Sequence, residues 1–213
     1  KAAWDISKSN AGLTSLVAST TYAGPAGLYD IATSVAVDAG GNILAVGQET
    51  VSPGTVKWSI REYNASLGSL LGATAYNPPG YSAYAPVVAV DPVGNFIVAG
   101  YEDTAAEGTN WRVRKYDPRL HLLWDWTYDS PAGGNDYARG VAVDAGGNVI
   151  VAGSETRADL GQGENWLVVR FDNAGNLLDT FTHDGLASGS DVLYAVAISG
   201  TGYAVVAGGE GMP

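Results

Sequence analysis

Short apolar segments separated by turn-forming residues run along the whole chain, and one arrangement of them recurs four times. In its clearest copy, residues 141–155, the strand VAVD is followed by the turn AGGN and the strand VIVAG, and a glutamate ends the unit. Further copies lie at 35–49 and 88–102, and a weaker one lies at 196–210. The glycines that end the second strand are spaced 53, 53 and 55 residues apart: Gly47, Gly100, Gly153 and Gly208. This regularity predicts a protein built from repeated supersecondary units.

Tryptophan gives an independent register for the same repeat. Each of four tryptophans opens an apparent strand, and they are separated by 54, 53 and 55 residues: Trp4, Trp58, Trp111 and Trp166. An aliphatic residue stands two positions after each tryptophan, so that the ring and the aliphatic side chain share one face of a strand. Asn or Asp then marks a turn, because these side chains bond to their own backbone. A further strand follows, with a threonine near its end.

Each repeat therefore contains four strands, which we name a, b, c and d, with the tryptophan in c and the threonine in d. Strand b is apolar on both faces, as in residues 149–152, which is typical of a strand covered on both sides. Strand d is the most polar, as expected of an outer edge strand. The pattern predicts an all-β fold, a four-bladed β-propeller of four-stranded repeats with a period of about 53 residues. A stacked β-solenoid is the alternative, although its coils are usually shorter.

The strand order at the two ends of the chain predicts how the ring closes. The chain starts at a strand c, near Trp4, and finishes just after a strand b, near Gly208. We therefore expect the first blade to be closed by strands from both termini, with the strand at Trp4 pairing with residues 203–208. Since no linker separates two parts, residues 1–213 are predicted to form a single propeller domain. Its repeats span residues 1–49, 50–102, 103–155 and 156–213.

Composition excludes several classes of function. The chain has 22 acidic and 11 basic residues and a formal charge of −11, so it would repel a phosphate backbone, and nucleic acid is not an expected partner. It has no cysteine, which excludes disulfides and thiolate metal sites. No apolar run approaches the ~20 residues of a membrane helix, so we expect no membrane insertion. The first residue is Lys1, which is expected of a processed or trimmed product.

The third and fourth repeats carry a family resemblance. The fourth has the string WLVVRFD from Trp166, then Gly175, Thr182 and Asp191, and the third matches from Trp111 through Asp136 to Asp144. Over essentially its whole length, the chain resembles the bacterial beta-propeller repeat family of secreted and surface proteins. The resemblance implies an extracellular or cell-surface location and a scaffold or adhesion role, with no common enzyme activity to carry over. The chain departs from the family in having fewer repeats and in Ser199, where the other copies have Asp.

Carboxylates recur at fixed positions of the repeat and form the candidate metal site. A glutamate follows the glycine of strand b by two residues in every repeat: Glu49, Glu102, Glu155 and Glu210. In a closed ring they would lie on one face with the aspartates that precede strand a: Asp30, Asp136 and Asp191. Such a group could hold a hard cation. The alternatives, which the sequence favours, are a solvated acidic rim or glutamates that bond to loop backbone. The Asp-x-x-Gly-Asn turns, such as 144–148, are interpreted as hairpin turns and not as cation loops.

Trp124 and Trp126 form the candidate ligand or partner site. They alternate on one side of strand d, and the other repeats have no such pair. Two tryptophans on one face suit a sugar or a protein partner, and burial between blades explains them equally well. The four repeat tryptophans are instead expected to be wedges between blades. His121 and His183 stand in unlike surroundings, so a histidine metal centre is not expected. No catalytic residue is recognised, and no cofactor is expected.

The sequence thus predicts a non-enzymatic extracellular scaffold or interaction module. Its expected partner is a protein or a second copy of itself, joined through the terminal strands into a surface assembly or fibre. A carbohydrate-binding, lectin-like propeller is the second hypothesis. A hydrolase or lyase with an acidic axial site is the third.

Overall fold

The structure is a computed structural model, and it describes residues 3–78, 81–105, 108–185 and 189–211. The chain divides into two compact units, residues 1–88 and 89–213. The described residues form strands and one short 3₁₀ helix, Ala158–Leu160, with no α-helix among them. The predicted all-β class is therefore confirmed. No described helix has the length and apolarity needed to span a membrane. The prediction of a single domain stays a prediction.

The first unit contains six strands and most of a seventh. Their bounds are β1 Trp4–Ser9, β2 Leu16–Tyr22, β3 Asp30–Val37, β4 Ile43–Ser52, β5 Thr55–Tyr63, β6 Leu70–Tyr76 and β7 Ala83–Val90. Strands β1 and β2 form a two-stranded sheet, and β3-β4-β5-β6 form a four-stranded sheet in chain order. The boundary between the units falls within β7.

The second unit contains the remaining strands: β8 Phe96–Asp103, β9 Gly108–Tyr116, β10 Leu122–Tyr128, β11 Gly134–Asn135, β12 Tyr137–Val143, β13 Val149–Thr156, β14 Glu164–Phe171, β15 Leu177–His183, β16 Val192–Ile198 and β17 Ala204–Gly209. One sheet has the order β7-β8-β9-β10, with the short β11 added parallel to β9. A second has the order β12-β13-β14-β15, and β16 and β17 form a two-stranded sheet.

Three complete sheets therefore have the a-b-c-d meander that the repeat predicts, which is the building unit of a propeller blade. The predicted first blade is represented by two half-sheets, β1–β2 at positions c and d and β16–β17 at positions a and b. In the described residues, β1 pairs with β2 and β17 with β16, each along one edge. The number of blades and the closure of the ring stay predictions. Lys1, Ala2, Met212 and Pro213, at the predicted junction, lie outside the described residues.

The a–b turns are hairpins closed by their own side chains, as the sequence predicts. In each of three turns the Oδ1 atom of Asp accepts the backbone N–H four residues on at 2.8 Å, and the Oδ2 atom accepts the Asn amide, with Asp38, Asp91 and Asp144 as acceptors. The glycine before each Asn has a positive φ, for example 82° at Gly41, which suits a residue without a Cβ. The Asp oxygens are thus engaged by the turn itself.

The repeat tryptophans lie between successive sheets, at the glycine of strand b. A Cβ on Gly47 would lie 2.7 Å from Trp4 Cζ2 and would also clash with the Ile31 carbonyl. The Trp4 Nε1–H donates to the carbonyl of Gln48 at 3.2 Å. The same contacts join Trp111 to Gly153 and Ser154. The predicted wedge is confirmed for Trp4 and Trp111. Trp58 is buried as well, and its Nε1–H donates to the carbonyl of Tyr84 on the next sheet at 3.1 Å.

Trp166 occupies the same position but is only half-buried. It lies against the two-stranded sheet β16–β17, where a Cβ on Gly208 would lie 3.0 Å from its Cζ2, and its Nε1–H donates to the Gly209 carbonyl at 3.2 Å. The half-sheet covers less of this ring than a complete sheet covers of Trp111.

Trp111→Ala should therefore lower the free energy of unfolding by roughly 3–5 kcal/mol, because it opens a large cavity in a closed contact. Trp166→Ala should cost clearly less, since part of its ring is already in water. Urea unfolding of both variants measures the difference. Equal losses would mean that Trp166 is covered in solution by something beyond β16–β17.

Candidate functional site

Each of the four predicted glutamates is paired with a side chain of its own. Tyr22, on the preceding sheet, donates its hydroxyl to Glu49 at 2.7 Å, and Lys57 lies 3.1 Å from the same carboxylate. Tyr128 donates in the same way to Glu155, with Arg157 at 3.7 Å. These bonds join the end of one strand d to strand b of the following repeat. The Tyr–Glu pair is therefore a second link between successive sheets.

The remaining two glutamates contact basic side chains. Glu102 is bonded by Arg112 at 2.5 Å, and Glu210 lies 3.1 Å from His183 Nε2. His183 thus stands at the end of strand d, where the other three repeats have tyrosine: Tyr22, Tyr76 and Tyr128. The tyrosines at the ends of the other three strands d are the sequence signal that this histidine belongs to the repeat.

A solvated acidic rim is the wrong description of three of these residues. Glu49, Glu102 and Glu155 are buried, and only Glu210 is exposed. For Glu49 and Glu155 a covering tyrosine belongs to the preceding strand d, so it is not near the glutamate in the sequence. Within the described ranges, no group of three or more His, Cys, Asp and Glu side chains could hold a metal ion. A cation bound by these glutamates stays a prediction.

The aspartates before strand a pin two loops each. Asp136 is fully buried, and its two carboxylate oxygens accept the backbone N–H groups of Ser130 at 2.7 Å and Thr156 at 2.8 Å. Asp30 accepts two backbone N–H groups in the same way, and so does Asp191. These carboxylates hold the d–a loop against the end of strand b, which is a structural role.

Burial shifts the ionisation of the groups at these links. Burial, and then the hydrogen bond to Glu49, raise the pKa of Tyr22 to about 12. The same causes raise the pKa of Tyr128 beside Glu155. Burial raises the pKa of Asp136, against the lowering effect of its backbone hydrogen bonds. A phenol that keeps its proton is a lasting donor to a buried carboxylate.

The candidate pair Trp124 and Trp126 packs on the next sheet of the second unit. Both rings are half-buried and contact Phe171, with centroids 5.6 and 4.9 Å apart. The Trp124 Nε1–H donates to the carbonyl of Asn173 at 3.3 Å. A Cβ on Gly175 would lie 2.8 Å from the Trp124 ring. The other repeats carry leucine where Gly175 stands, so this glycine is the sequence signal that a large neighbour fills the space. Ligand binding by the pair stays a prediction.

A buried ion pair that sequence reasoning missed lies at the opposite end of the strands. Lys115 Nζ is 2.9 Å from Asp91, with both side chains 1% exposed, and it also donates to Asn173 of the following sheet. Burial would raise the pKa of Asp91, but hydrogen bonds from Lys115 and Asn95 outweigh it, and the pKa is lowered. In the first unit, Glu62 takes the position of Lys115. Burial, and then the charge of Asp38, raise the pKa of Glu62.

An apolar groove lies beside β1 in the first unit. Its volume is about 620 Å³, and its lining includes Ile6, Lys8, Val35, Val37, Ile43 and Ala45. We call it the β1 groove. Val35 and Val37 are each 59% exposed there, whereas Val88, the equivalent of Val35 in the next repeat, is 9% exposed. One sheet face that is covered in the next repeat is therefore open beside β1.

Strand β17 in the second unit also carries an apolar residue that is exposed where the other repeats bury it. Its Val205 is 57% exposed, whereas at most 5% of the side chain is exposed at the equivalent positions Leu44, Ile97 and Ile150. The exposed residue is apolar and belongs to the strand type that the sequence predicts to be covered on both faces. Within the described strands, β1 has no strand b beside it in its sheet, and β17 has no strand c beside it in its sheet.

Comparison with known proteins assigns no family. No family model matches the chain, and no curated protein matches it. Among solved structures, the chain is similar to a subtype N11 neuraminidase-like protein of A/flat-faced bat/Peru/033/2010 (H18N11), with 11% sequence identity and a TM-score of 0.48. The match covers 91% of this chain and 66% of that one. A likeness at this level carries no activity across to this chain.

Tyr22→Phe should lower the free energy of unfolding at pH 7 by about 1–3 kcal/mol, because buried Glu49 loses a donor. The unfolded tyrosine ionises near pH 10 and the folded one near 12, so the stabilisation is complete below pH 10 and is lost as the pH rises to 12. The variant should lack this part of the alkaline loss. Urea unfolding from pH 7 to 12 measures it, with the exposed Tyr29 as the control in Tyr29→Phe. Parallel curves for wild type and Tyr22→Phe would contradict the assignment.

Glu62→Gln should stabilise the protein at pH 7 by roughly 0.2–1 kcal/mol, since it removes a buried carboxylate charge and its repulsion from Asp38. The raised pKa of Glu62 means that protonation favours the folded state, so the gain should shrink as the pH falls through the titration of Glu62. Lys115→Gln is the matched substitution in the next repeat and should have the opposite sign. It leaves buried Asp91 unpaired, at a cost of about 3–5 kcal/mol. Chemical unfolding at pH 7 and pH 4 compares them, and the same sign for both would refute the account.

Proposed function

We propose that the chain is a β-propeller scaffold that works as an interaction module through its terminal strands. The strands are β1 and β17, and the mode is β-strand addition, in which edge hydrogen bonds give affinity and apolar side chains give specificity. The ring is completed when a strand b covers β1. The exposure of Val205, against the burial of its three equivalents, is the observation that carries this proposal.

The hydrogen bonds in which the candidate polar groups already take part support a role without catalysis. Tyr22, Tyr128 and His183 engage three glutamates, and backbone N–H groups engage Asp30 and Asp136. The Tyr–Glu bond and the bonds from backbone N–H groups to aspartate each recur in more than one repeat, as is expected of structural contacts. A catalytic acid or base would instead be expected in one repeat only, beside groups that differ from the rest.

The proposed partner is a protein strand, and the proposed location is extracellular or at the cell surface. The partner follows from the chemistry of an exposed strand edge beside an apolar groove. The location rests on the resemblance of the repeat to secreted and surface proteins. The net charge of −11 suits a soluble module that does not bind nucleic acid.

Val205→Asp tests whether the terminal edge is engaged in solution. If a partner strand covers Val205, the substitution buries a carboxylate and should lower the free energy of unfolding by about 3–5 kcal/mol. The loss would be seen as a lower urea midpoint. Val17→Asp on β2 is the matched control, because Val17 is 60% exposed and lies on a strand d outside the proposed edge. That substitution should change stability by less than about 0.5 kcal/mol.

A small effect of both substitutions would overturn the proposed function. It would mean that Val205 is in water in the working protein, as an isolated half-sheet leaves it. A large loss with Val205→Asp alone would support an engaged edge, whichever chain provides the covering strand.

A further inference from the structure

We propose that Asp38 and Glu62 together bind a hard divalent cation, of the class of Ca²⁺ and Mg²⁺. The site lies in the first unit and is formed by the a–b turn that follows β3 and by strand β5. It goes beyond the proposed function, since it neither requires nor excludes a strand added at the terminal edges. The observation that carries it is a buried carboxylate at a position where every other repeat has a basic residue.

The fourth residue after each repeat tryptophan defines this position. It is basic in three repeats and acidic in one: Lys8, Lys115, Arg170 and Glu62. In the sheet β7-β8-β9-β10, the Lys115 ammonium lies 2.9 Å from Oδ2 of Asp91, the aspartate of the a–b turn. A side-chain cation therefore satisfies the turn carboxylate in that sheet. The first unit keeps the turn aspartate, Asp38, and has a second carboxylate in place of the ammonium.

The Asp38 carboxylate has an acceptor site left for a cation. Asp91 Oδ2 accepts the Asn95 amide at 2.8 Å in addition to Lys115, because each oxygen of a carboxylate can accept two bonds. Asp38 Oδ2 accepts the equivalent amide of Asn42 at 3.0 Å, and the described residues provide no second donor to that oxygen. The acceptor site that Lys115 uses in one sheet is thus unused in the other.

Glu62 is the second ligand and the stronger sign that something binds. The residue is only 7% exposed, yet it makes no hydrogen bond or ion pair with another side chain in the described part of the chain. Burial, and then the charge of Asp38, raise the pKa of Glu62, so its ionised form is unfavourable without a partner. A buried carboxylate is normally paired or coordinates a metal. A cation bound between the two carboxylates would remove the cost of both burial and repulsion.

Lys8 does not supply the missing positive charge. Gly41, in the same turn as Asp38, lies against Ala65, and the Lys8 ammonium donates to the Ala65 carbonyl at 3.1 Å. Within residues 3–78, however, no ion pair joins Lys8 to Asp38 or to Glu62. The two carboxylates therefore carry two negative charges, which one divalent cation would neutralise.

The donor atoms select the class of cation. Carboxylate oxygens are the ligands of Ca²⁺ and Mg²⁺, whereas transition metals favour imidazole and thiolate. Two carboxylates leave most coordination positions of such an ion to water, so the binding should be weak. A dissociation constant of about 10⁻³ M is expected, as in the weaker calcium-binding modules.

Thermal unfolding of the full chain with and without calcium tests the proposal. Relative to protein in chelator, about 10 mM CaCl₂ should raise the melting temperature of the wild type by about 3–6 °C, as expected for a tenfold excess over the dissociation constant. NaCl at the same ionic strength is the control for charge screening, and it should give less than about a third of that rise. Calorimetric titration should find one Ca²⁺ per chain.

Glu62→Gln and Glu62→Lys identify the ligand. Both substitutions should abolish the calcium-dependent rise. Glu62→Lys should also melt at a higher temperature than the wild type in chelator, because it places beside Asp38 the cation that Asp91 has in Lys115. The matched control is Glu210→Gln, which removes an exposed carboxylate of the predicted glutamate ring and should keep the full rise.

Three results would overturn the inference. A calcium-dependent rise that persists in both Glu62 variants would mean that the cation binds elsewhere. An equal rise with NaCl would reduce the effect to screening of the net charge of −11. No rise in the wild type would mean that the buried pair holds no cation. Each of these results leaves the proposed function in place, because that function is tested separately by Val205→Asp.

Discussion

The contact between a tryptophan of one sheet and the strand b glycine of the next sheet is the constraint on which this structure depends. The ring fits only where a Cβ is absent, as at Gly47 and Gly153, and its N–H satisfies a backbone carbonyl on the same strand. A repeat of strands could otherwise slide, because sheet faces rich in Val, Ile and Ala offer little directional specificity. The indole fixes the position of one sheet on another, and the Tyr–Glu bond at the strand end fixes it a second time. Every sheet therefore needs a neighbour.

The buried charges of the protein lie at the contacts between successive sheets. The chain is strongly acidic, yet buried carboxylates sit at the links between repeats, where each is bonded to a phenol, a cation or backbone N–H groups. Burying a charge without such a partner is costly. These paired carboxylates therefore favour one specific stacking of the sheets, and little of their hydrogen-bonding capacity is left for catalysis or binding. Glu62 near Asp38 is the exception, since two carboxylates meet where the next repeat has Lys115 with Asp91. The repeats thus share a backbone arrangement but differ in whether the charges at this position attract or repel each other.

Much of the fold could be predicted from the sequence, because period-two patterning and a fixed spacing of tryptophan and glycine are local signals. Strand order within a repeat and the packing of Trp4 and Trp111 followed from them. The site could not be predicted to the same degree, because its contacts join different repeats. Tyr22 meets Glu49 from 27 positions away, so the glutamate looked like part of a solvated rim. No feature of the local pattern marks Lys115, whose ammonium is buried between two turns. Closure of the predicted ring would join the two ends of the chain, and no local pattern encodes a contact between them.

The central claim is that no sheet of this protein is left without a neighbour in its working state. Amide hydrogen exchange along β17, read residue by residue in concentrated protein, tests it most directly, because it reports the free edge itself. The account predicts that residues 204–208 exchange as slowly as residues 149–153 of β13, whose strand is paired on both sides. Exchange in β17 as fast as in the adjoining turn, residues 200–203, would contradict it, since the edge would then be open to water.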